Sequence, residues 1–274
     1  MAIKFSLPPT IDRHEFKYTV PFSYIEPISR FVQAYCDLDY HSAISSDHFY
    51  LVNSLYFDTR GMEFLKQRLW GRDGRFNMRA RFYGERGEPP YFLEIKQKRG
   101  TTGRKFRSTA QKDEWPGLLV DPGFERREGG NVKDNENRKL FLQLATNYAI
   151  EPKIFTQYRR KAFISTVDEY ARVTMDICMK YRLQDDYNLV PDARMVSYDN
   201  ENIYSPNCMN EASVVLELKC LIGCVPTWML DLISTFELKQ QGFSKYMQSS
   251  LVAYRDNGTD YMAGDRMENY CTFA

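Results

Sequence analysis

The sequence has almost no excess charge. Its 37 Lys and Arg stand against 36 Asp and Glu, a formal net charge of +1 over 274 residues. That balance excludes a globally basic nucleic-acid binder, so any polyanion site must come from where the charges sit. Long apolar runs are missing as well. No segment approaches the roughly 20 residues that span a bilayer, and Met1-Ala-Ile-Lys-Phe-Ser6 lacks the apolar stretch of a signal peptide. A cytoplasmic protein with no transmembrane segment is expected. Cysteine is scattered, at Cys36, Cys178, Cys208, Cys220, Cys224 and Cys271. Only Cys220 and Cys224 lie close, at a spacing that fits no common zinc or redox pattern, so buried reduced thiols are expected. No Pro/Ser linker, low-complexity tract or charge block divides the chain, and residues 1–274 read as a single domain.

What the chain has instead is alternation. In Asn77-Met-Arg-Ala-Arg-Phe-Tyr83 the residues Asn77, Arg79, Arg81 and Tyr83 share one face of a strand, with Met78, Ala80 and Phe82 on the other. Tyr91 to Lys98 sets Glu94, Lys96 and Lys98 opposite Leu93 and Ile95, and the Gly- and Pro-rich link between the two predicts an antiparallel hairpin. Similar strands are expected over Asp12–Val20, Tyr50–Asp58, Pro152–Phe163, Tyr170–Ile177 and Ser213–Lys219, and after the turn at residues 99–103. Ser23-Tyr-Ile-Glu26 reads as a capping box opening a helix towards Cys36. Helical spacing is also expected over Met62–Trp70, Asn137–Tyr148 and from Pro226. Residues 111–137 and 182–211 read as irregular. An aromatic content of 15% fits a packed, strand-rich fold.

The polar faces of these strands collect an unusual charge set: Lys17, Arg79, Arg81, Lys96, Lys105, Arg107, Arg160, Arg172, Lys219 and Lys245, with Glu15, Glu94 and Glu217 among them. An ordinary solvated face mixes Thr, Ser and Gln with its lysines. Here Glu-x-Lys occurs three times and Arg-x-Arg once. Seven or eight antiparallel strands can close into a barrel, which gives such a face an inside. Like charges at 4 Å repel by roughly 4 kcal/mol at an effective dielectric near 20. A lining of this kind therefore needs a wet lumen and a polyanion, and the Arg fork suits phosphate oxygens. Carboxylates among the cations can hold a divalent metal that bridges those oxygens.

With these residues in view, the chain resembles the VTC domain, the polyphosphate polymerase module of the vacuolar transporter chaperone complex and its bacterial relatives. The resemblance is carried by Arg13–Tyr18, Ser54–Asp58, Arg79–Tyr83, Phe92–Lys96, Tyr158–Phe163, Arg172–Asp176, Leu216–Lys219 and Phe243–Tyr246. It implies the triphosphate tunnel metalloenzyme fold: α+β, with an antiparallel barrel around a basic tunnel, flanking helices, and a C-terminal helix near the tunnel mouth. It implies Lys17, Arg79, Arg81, Lys96, Arg160, Arg172 and Lys219 as the cations of the reaction. Lys105, Arg107, Ser244, Lys245 and Tyr158 are implied as further phosphate contacts, and Glu217 as the carboxylate holding Mn²⁺ or Mg²⁺. Glu15 and Glu94 are weaker metal candidates that read equally well as ion-pair partners. Gly242 departs from the pattern, standing where another basic residue is expected.

The activity implied is transfer of the ATP γ-phosphoryl group to a polyphosphate end, with ATP, triphosphate or polyphosphate as ligands and no nucleic acid. Such chemistry rests on alignment and charge neutralisation, so the lack of a nucleophile triad is no objection. A triphosphatase or nucleoside triphosphatase in the same tunnel, a non-catalytic polyphosphate or nucleotide sensor, and a structural barrel remain as alternatives.

Overall fold

In the computed structural model, described over residues 13–100, 102–121, 123–124, 131–197 and 214–256, the alternating segments do become strands. In chain order the elements are β1 (Arg13–Val20), a 3₁₀ turn (Phe22–Tyr24), α1 (Ile25–Gln33), β2 (Cys36–Leu38), α2 (Tyr40–Ile44), β3 (Tyr50–Asp58), α3 (Glu63–Leu69), β4 (Arg75–Tyr83), β5 (Tyr91–Arg99) and β6 (Thr102–Ala110). There follow α4 (Gly117–Val120), α5 (Val132–Asn147), β7 (Glu151–Ser165), β8 (Ala171–Leu183), β9 (Val196–Ser197), β10 (Val214–Leu221), α6 (Thr227–Thr235) and α7 (Lys245–Asp256).

Eight strands form one antiparallel path in the order β1-β10-β8-β7-β3-β4-β5-β6, with β2 on β7 and β9 on β8. The path curls until β1 approaches β6. The seam between them is bridged by side chains, with Lys96 of β5 lying 3.5 Å from Glu15 of β1. The free edge of β6 is covered by α5: the Asn137 side chain donates to the Arg107 carbonyl at 2.8 Å, and the Thr109 amide donates to Asp134 at 3.1 Å. Such cover keeps the edge from pairing with another strand.

Alternation sorts the outer face into two apolar layers. Tyr18, Val173, Met175, Leu216 and Leu218 of β1, β8 and β10 pack under α1 and α6, through Ile28, Val32, Trp228 and Leu232. Met78, Ala80, Phe82, Leu93 and Ile95 of β4 and β5 pack under α4 and α5. A third cluster lies on the concave face. There Val52, Tyr56, Tyr158, Met179 and Val215 meet Phe243, Tyr246 and the buried side of α7. Each fully buried apolar side chain contributes about 1.5–3 kcal/mol, and this layer fixes α7 inside the curl.

Several expectations are corrected. The Ser23–Glu26 capping box does not form: α1 is entered from a 3₁₀ turn with Tyr24 at its N-cap and no side-chain cap bond. The helix stops at Gln33, and Cys36 starts β2. Within 111–137, α4 and the first turn of α5 replace irregular chain, and Asn131 caps α5 by accepting from the Asp134 amide. β8 runs on to Leu183, and β9 interrupts the stretch that follows; residues 198–211 of the region expected to be irregular lie outside the described residues. Cys36 and Cys220 are buried, but Cys178 and Cys224 are exposed; Cys208 and Cys271 lie outside the described residues. Among the described residues, no helix is long and apolar enough to cross a membrane.

A candidate polyanion site on the concave face

The β4–β5 hairpin positions the first half of the site. Pairing sets Arg79 opposite Glu94, and Glu94 opposite Arg107 on β6. Glu94 is 0% exposed, and four cations gather on it. Arg79 donates to Oε2 through Nη2 at 2.7 Å and Nε at 2.9 Å. Lys105 Nζ and Arg107 Nη2 each lie 2.6 Å from Oε1, and Arg81 Nε lies 3.9 Å from Oε2. Burial alone raises a carboxyl pKa, but these four neighbours hold Glu94 well below the usual carboxylate range. Burial and the neighbouring guanidinium groups push the Lys105 ammonium well down, against the pull of Glu94.

β1, β8 and β10 position the second half. Lys17 faces Glu217 across the β1–β10 ladder, and Glu15 faces Lys219. Glu217 lies 2.6 Å from Lys219, 3.3 Å from Lys17, 3.8 Å from Lys245 and 3.9 Å from Arg160. Burial opposes ionisation of Glu217, yet Lys17, Lys219 and Lys245 bring its pKa well below normal. Lys96 is pushed down to about 7: Glu15 pulls the other way, but burial together with Lys17 and Arg79 outweighs it. Arg172 leans away from this group and donates to Asp39 at 2.6 Å, an aspartate that also caps α2 through the Ser42 amide.

The start of α7 closes the set. Lys17 Nζ donates to the Phe243 carbonyl at 3.0 Å, and Ser244 Oγ accepts from the Met247 amide at 3.4 Å. Lys245 lies over the Tyr158 ring at 4.5 Å. The Tyr158 hydroxyl accepts from Arg81 at 3.2 Å, and the Tyr56 hydroxyl accepts from Arg79 at 2.8 Å. Burial favours the neutral phenol of Tyr56, but Arg79, Arg81 and Lys245 bring its pKa below the usual value.

The concave face thus brings together Lys17, Arg79, Arg81, Lys96, Lys105, Arg107, Arg160, Lys219, Lys245, Ser244, Tyr158, Glu15, Glu94 and Glu217. Arg172 stands at its margin, and Lys98 is exposed at the rim. Asp176 lies four residues after Arg172 on the same face of an alternating strand and is not among the expected site residues; the structure gives it contacts to Arg160 and Lys245. A carboxylate in the same alternating set as Arg172 was the available signal. Asp58, at the end of β3, receives the Tyr246 hydroxyl and likewise is not among the expected site residues.

Two features fit a bound polyanion and its metal. Arg81 Nε is a buried donor with no hydrogen-bond acceptor, a costly state that phosphate oxygens would relieve. Glu15 Oε1 is a buried acceptor with no hydrogen bond, and Glu15 shares Lys17 and Lys219 with Glu217. Two such hard oxygen donors fit Mg²⁺ or Mn²⁺. No group of three or more His, Cys, Asp or Glu arranged for a metal occurs among the described residues. A magnesium-type ion needs only one or two carboxylates when phosphates supply the rest.

No curated protein matches the chain. Among solved structures, a candidate adenylate cyclase from Bacillus halodurans is 14% identical, with 86% of this chain and 96% of that one covered, at a TM-score of 0.47. A candidate adenylyl cyclase from Hippeastrum, with a dominant triphosphatase activity, is 12% identical over 89% and 97%, at 0.44. Another from Vibrio parahaemolyticus is 11% identical over 88% and 98%, at 0.42. The VTC domain matches residues 12–254, a span that holds both carboxylate-centred groups and the start of α7, and the chain belongs to the VTC domain family.

Proposed function

We propose that this protein is a metal-dependent phosphoryl-transfer enzyme that passes the γ-phosphoryl group of ATP to the end of a polyphosphate chain. The bond between the γ-phosphorus and the β,γ-bridging oxygen breaks, a bond from that phosphorus to a terminal phosphate oxygen of the chain forms, and ADP leaves. The observation that carries the reading is the cation excess on the concave face. Glu94 alone is shared by Arg79, Arg81, Lys105 and Arg107, more positive charge than one carboxylate neutralises. Family membership supports polyphosphate as the acceptor.

In this reading Arg79, Arg81, Lys105 and Arg107 grip one stretch of the phosphate chain. Lys17, Lys96, Lys219, Arg160 and Lys245 grip the other, with Ser244 and Tyr158 beside them and Arg172 at the margin. Glu217 and Glu15 would hold Mn²⁺ or Mg²⁺. Bound there, the metal neutralises phosphate charge and helps to orient the oxygens. Glu94, engaged by four cations, keeps like charges apart instead. Arginine forks fix the phosphate oxygens in direction, and alignment of that kind supplies most of the acceleration this chemistry needs.

The test is to incubate the protein with ATP and Mn²⁺ and to assay ADP, free phosphate and polymer. ADP with polymer is expected. Free phosphate without polymer would replace the polymerase by a triphosphatase, and tight triphosphate binding without turnover would make the protein a sensor. Glu217→Gln is expected to abolish turnover in a folded protein.

A further inference from the structure

Asp176 is fully buried on β8, on the same face as Arg172 and Thr174. Its Oδ1 accepts from Arg160 Nε at 2.6 Å, and its Oδ2 accepts from Arg160 Nη2 at 2.7 Å. Lys245 Nζ lies 2.6 Å from the same Oδ2. Arg160 belongs to β7 and Lys245 is the first residue of α7, so one carboxylate fixes two cations from two elements. Glu217 is more distant from both, at 3.9 Å and 3.8 Å. A guanidinium held through two parallel hydrogen bonds presents its remaining N–H groups in a set direction. A lysine ammonium on its flexible stem has no such direction of its own, and gains one from its partner.

We propose that Asp176 is a positioning residue: it aligns Arg160 and Lys245 as a pair and clasps the start of α7 to the barrel wall. The cation set is then complete only while α7 is docked. This rests on the phosphoryl-transfer reading above. Loss of a carboxylate makes the concave face more positive, so binding of an anion holds or tightens while alignment is lost. A residue needed only for folding would lose both together.

In the full-length chain, Asp176→Asn is expected to bind tripolyphosphate as tightly as the wild type or several-fold tighter in calorimetry. Its kcat for ADP release from ATP with Mn²⁺ should fall at least tenfold, and Asp176→Glu should recover part of it. Combined with Lys245→Gln, the loss should be smaller than the product of the two single losses. Weaker binding with unchanged kcat, or losses that multiply, would overturn the alignment. The clasp is read without any activity. In Lys245→Gln, which keeps the Arg160–Asp176 pair and serves even if Asp176→Asn does not fold, amide hydrogen exchange in the first turn of α7 should quicken at least tenfold while β8 is unchanged. Unchanged exchange overturns the clasp whether or not the protein turns over ATP. A wild type that neither binds tripolyphosphate nor consumes ATP overturns the phosphoryl-transfer reading and the alignment with it.

Discussion

The Tyr246 hydroxyl donates a 2.6 Å hydrogen bond to Asp58 Oδ2, tying α7 to the end of β3, whose carboxylate also receives the first amides of α3. Asp58 is fully buried and also accepts from the amides of Thr59, Phe64 and Leu65. Burial raises the pKa of Asp58 against these donors, and the Tyr246 phenol is raised well above its usual value. The contact places Lys245, one residue earlier, within reach of Asp176 and Glu217.

Tyr246→Phe removes this bond and keeps the ring stacked on Tyr56 at 5.1 Å. A hydrogen bond to a charged group is worth about 1.5–3 kcal/mol, and Asp58 keeps its three amide donors. A loss of about that size is expected in urea denaturation. Stability equal to wild type would mean that the Tyr246 hydroxyl adds nothing to the hold that the apolar face and the Lys245–Asp176 pair have on α7.

Glu94→Gln separates the two roles open to that carboxylate. Without it Arg79, Arg81, Lys105 and Arg107 face one another with no counter-charge. Breaking a buried ion pair from one side costs about 3–5 kcal/mol, less here because Lys105 and Arg107 are partly exposed. The variant should be clearly destabilised, and tripolyphosphate should restore it more than it stabilises the wild type. Wild-type stability combined with lost metal dependence would make Glu94 a metal ligand.

The two halves of the site differ in how far the sequence disclosed them. Arg79, Arg81, Glu94 and Lys96 were legible because period-2 alternation in β4 and β5 runs unbroken, and a tight link sets the register. Beyond Asp176 the pattern fails. The β7–β8 register shifts between Gln157 and Arg159, opposite Cys178, which takes φ of 52°. The slip turns Met179 and Tyr181 to the inner cluster, and no spacing rule anticipates a bulge. The early part of α5 was hidden for another reason: of its 16 residues only Phe141 and Leu142 are buried, so its apolar stripe is too thin to read. Contacts such as Asp176–Lys245 join residues far apart in the chain, and local pattern carries no sign of them.

Lys96 links the site to pH. Its pKa of about 7 in the folded state lies below the ordinary lysine value of 10.5. Between those values the unfolded chain holds the proton and the folded one does not, so stability without ligand should rise with pH from about 7 upward. Tripolyphosphate favours the ammonium, so affinity should move oppositely, falling as pH rises through 7. One linked proton gives at most about tenfold per pH unit. Calorimetry from pH 6 to 9 should show proton uptake on binding, and Lys96→Gln should flatten the dependence. A flat wild-type profile would remove Lys96 from the phosphate contacts.

Gly242 offers the converse experiment, adding a cation instead of removing one. A Cβ built there meets nothing within 4 Å, so a side chain can leave the backbone at this exposed position without a clash at its first carbon. The next residue, Phe243, gives its carbonyl to Lys17 at 3.0 Å, and two residues on stands Lys245. A lysine at 242 therefore starts beside cations already placed on the concave face, with a stem long enough to reach a phosphate chain lying there. A charge-assisted contact is worth about 1.5–3 kcal/mol when fully formed. Solvent screening at this exposed position reduces that, and several-fold tighter tripolyphosphate binding is expected for Gly242→Lys. The gain should shrink in high salt, as charge contacts near solvent do. Folding stability should change by no more than about 0.5 kcal/mol, the usual range for surface substitutions. Unchanged affinity at low salt would place the phosphate path away from residue 242, and with it the approach of the chain past the start of α7.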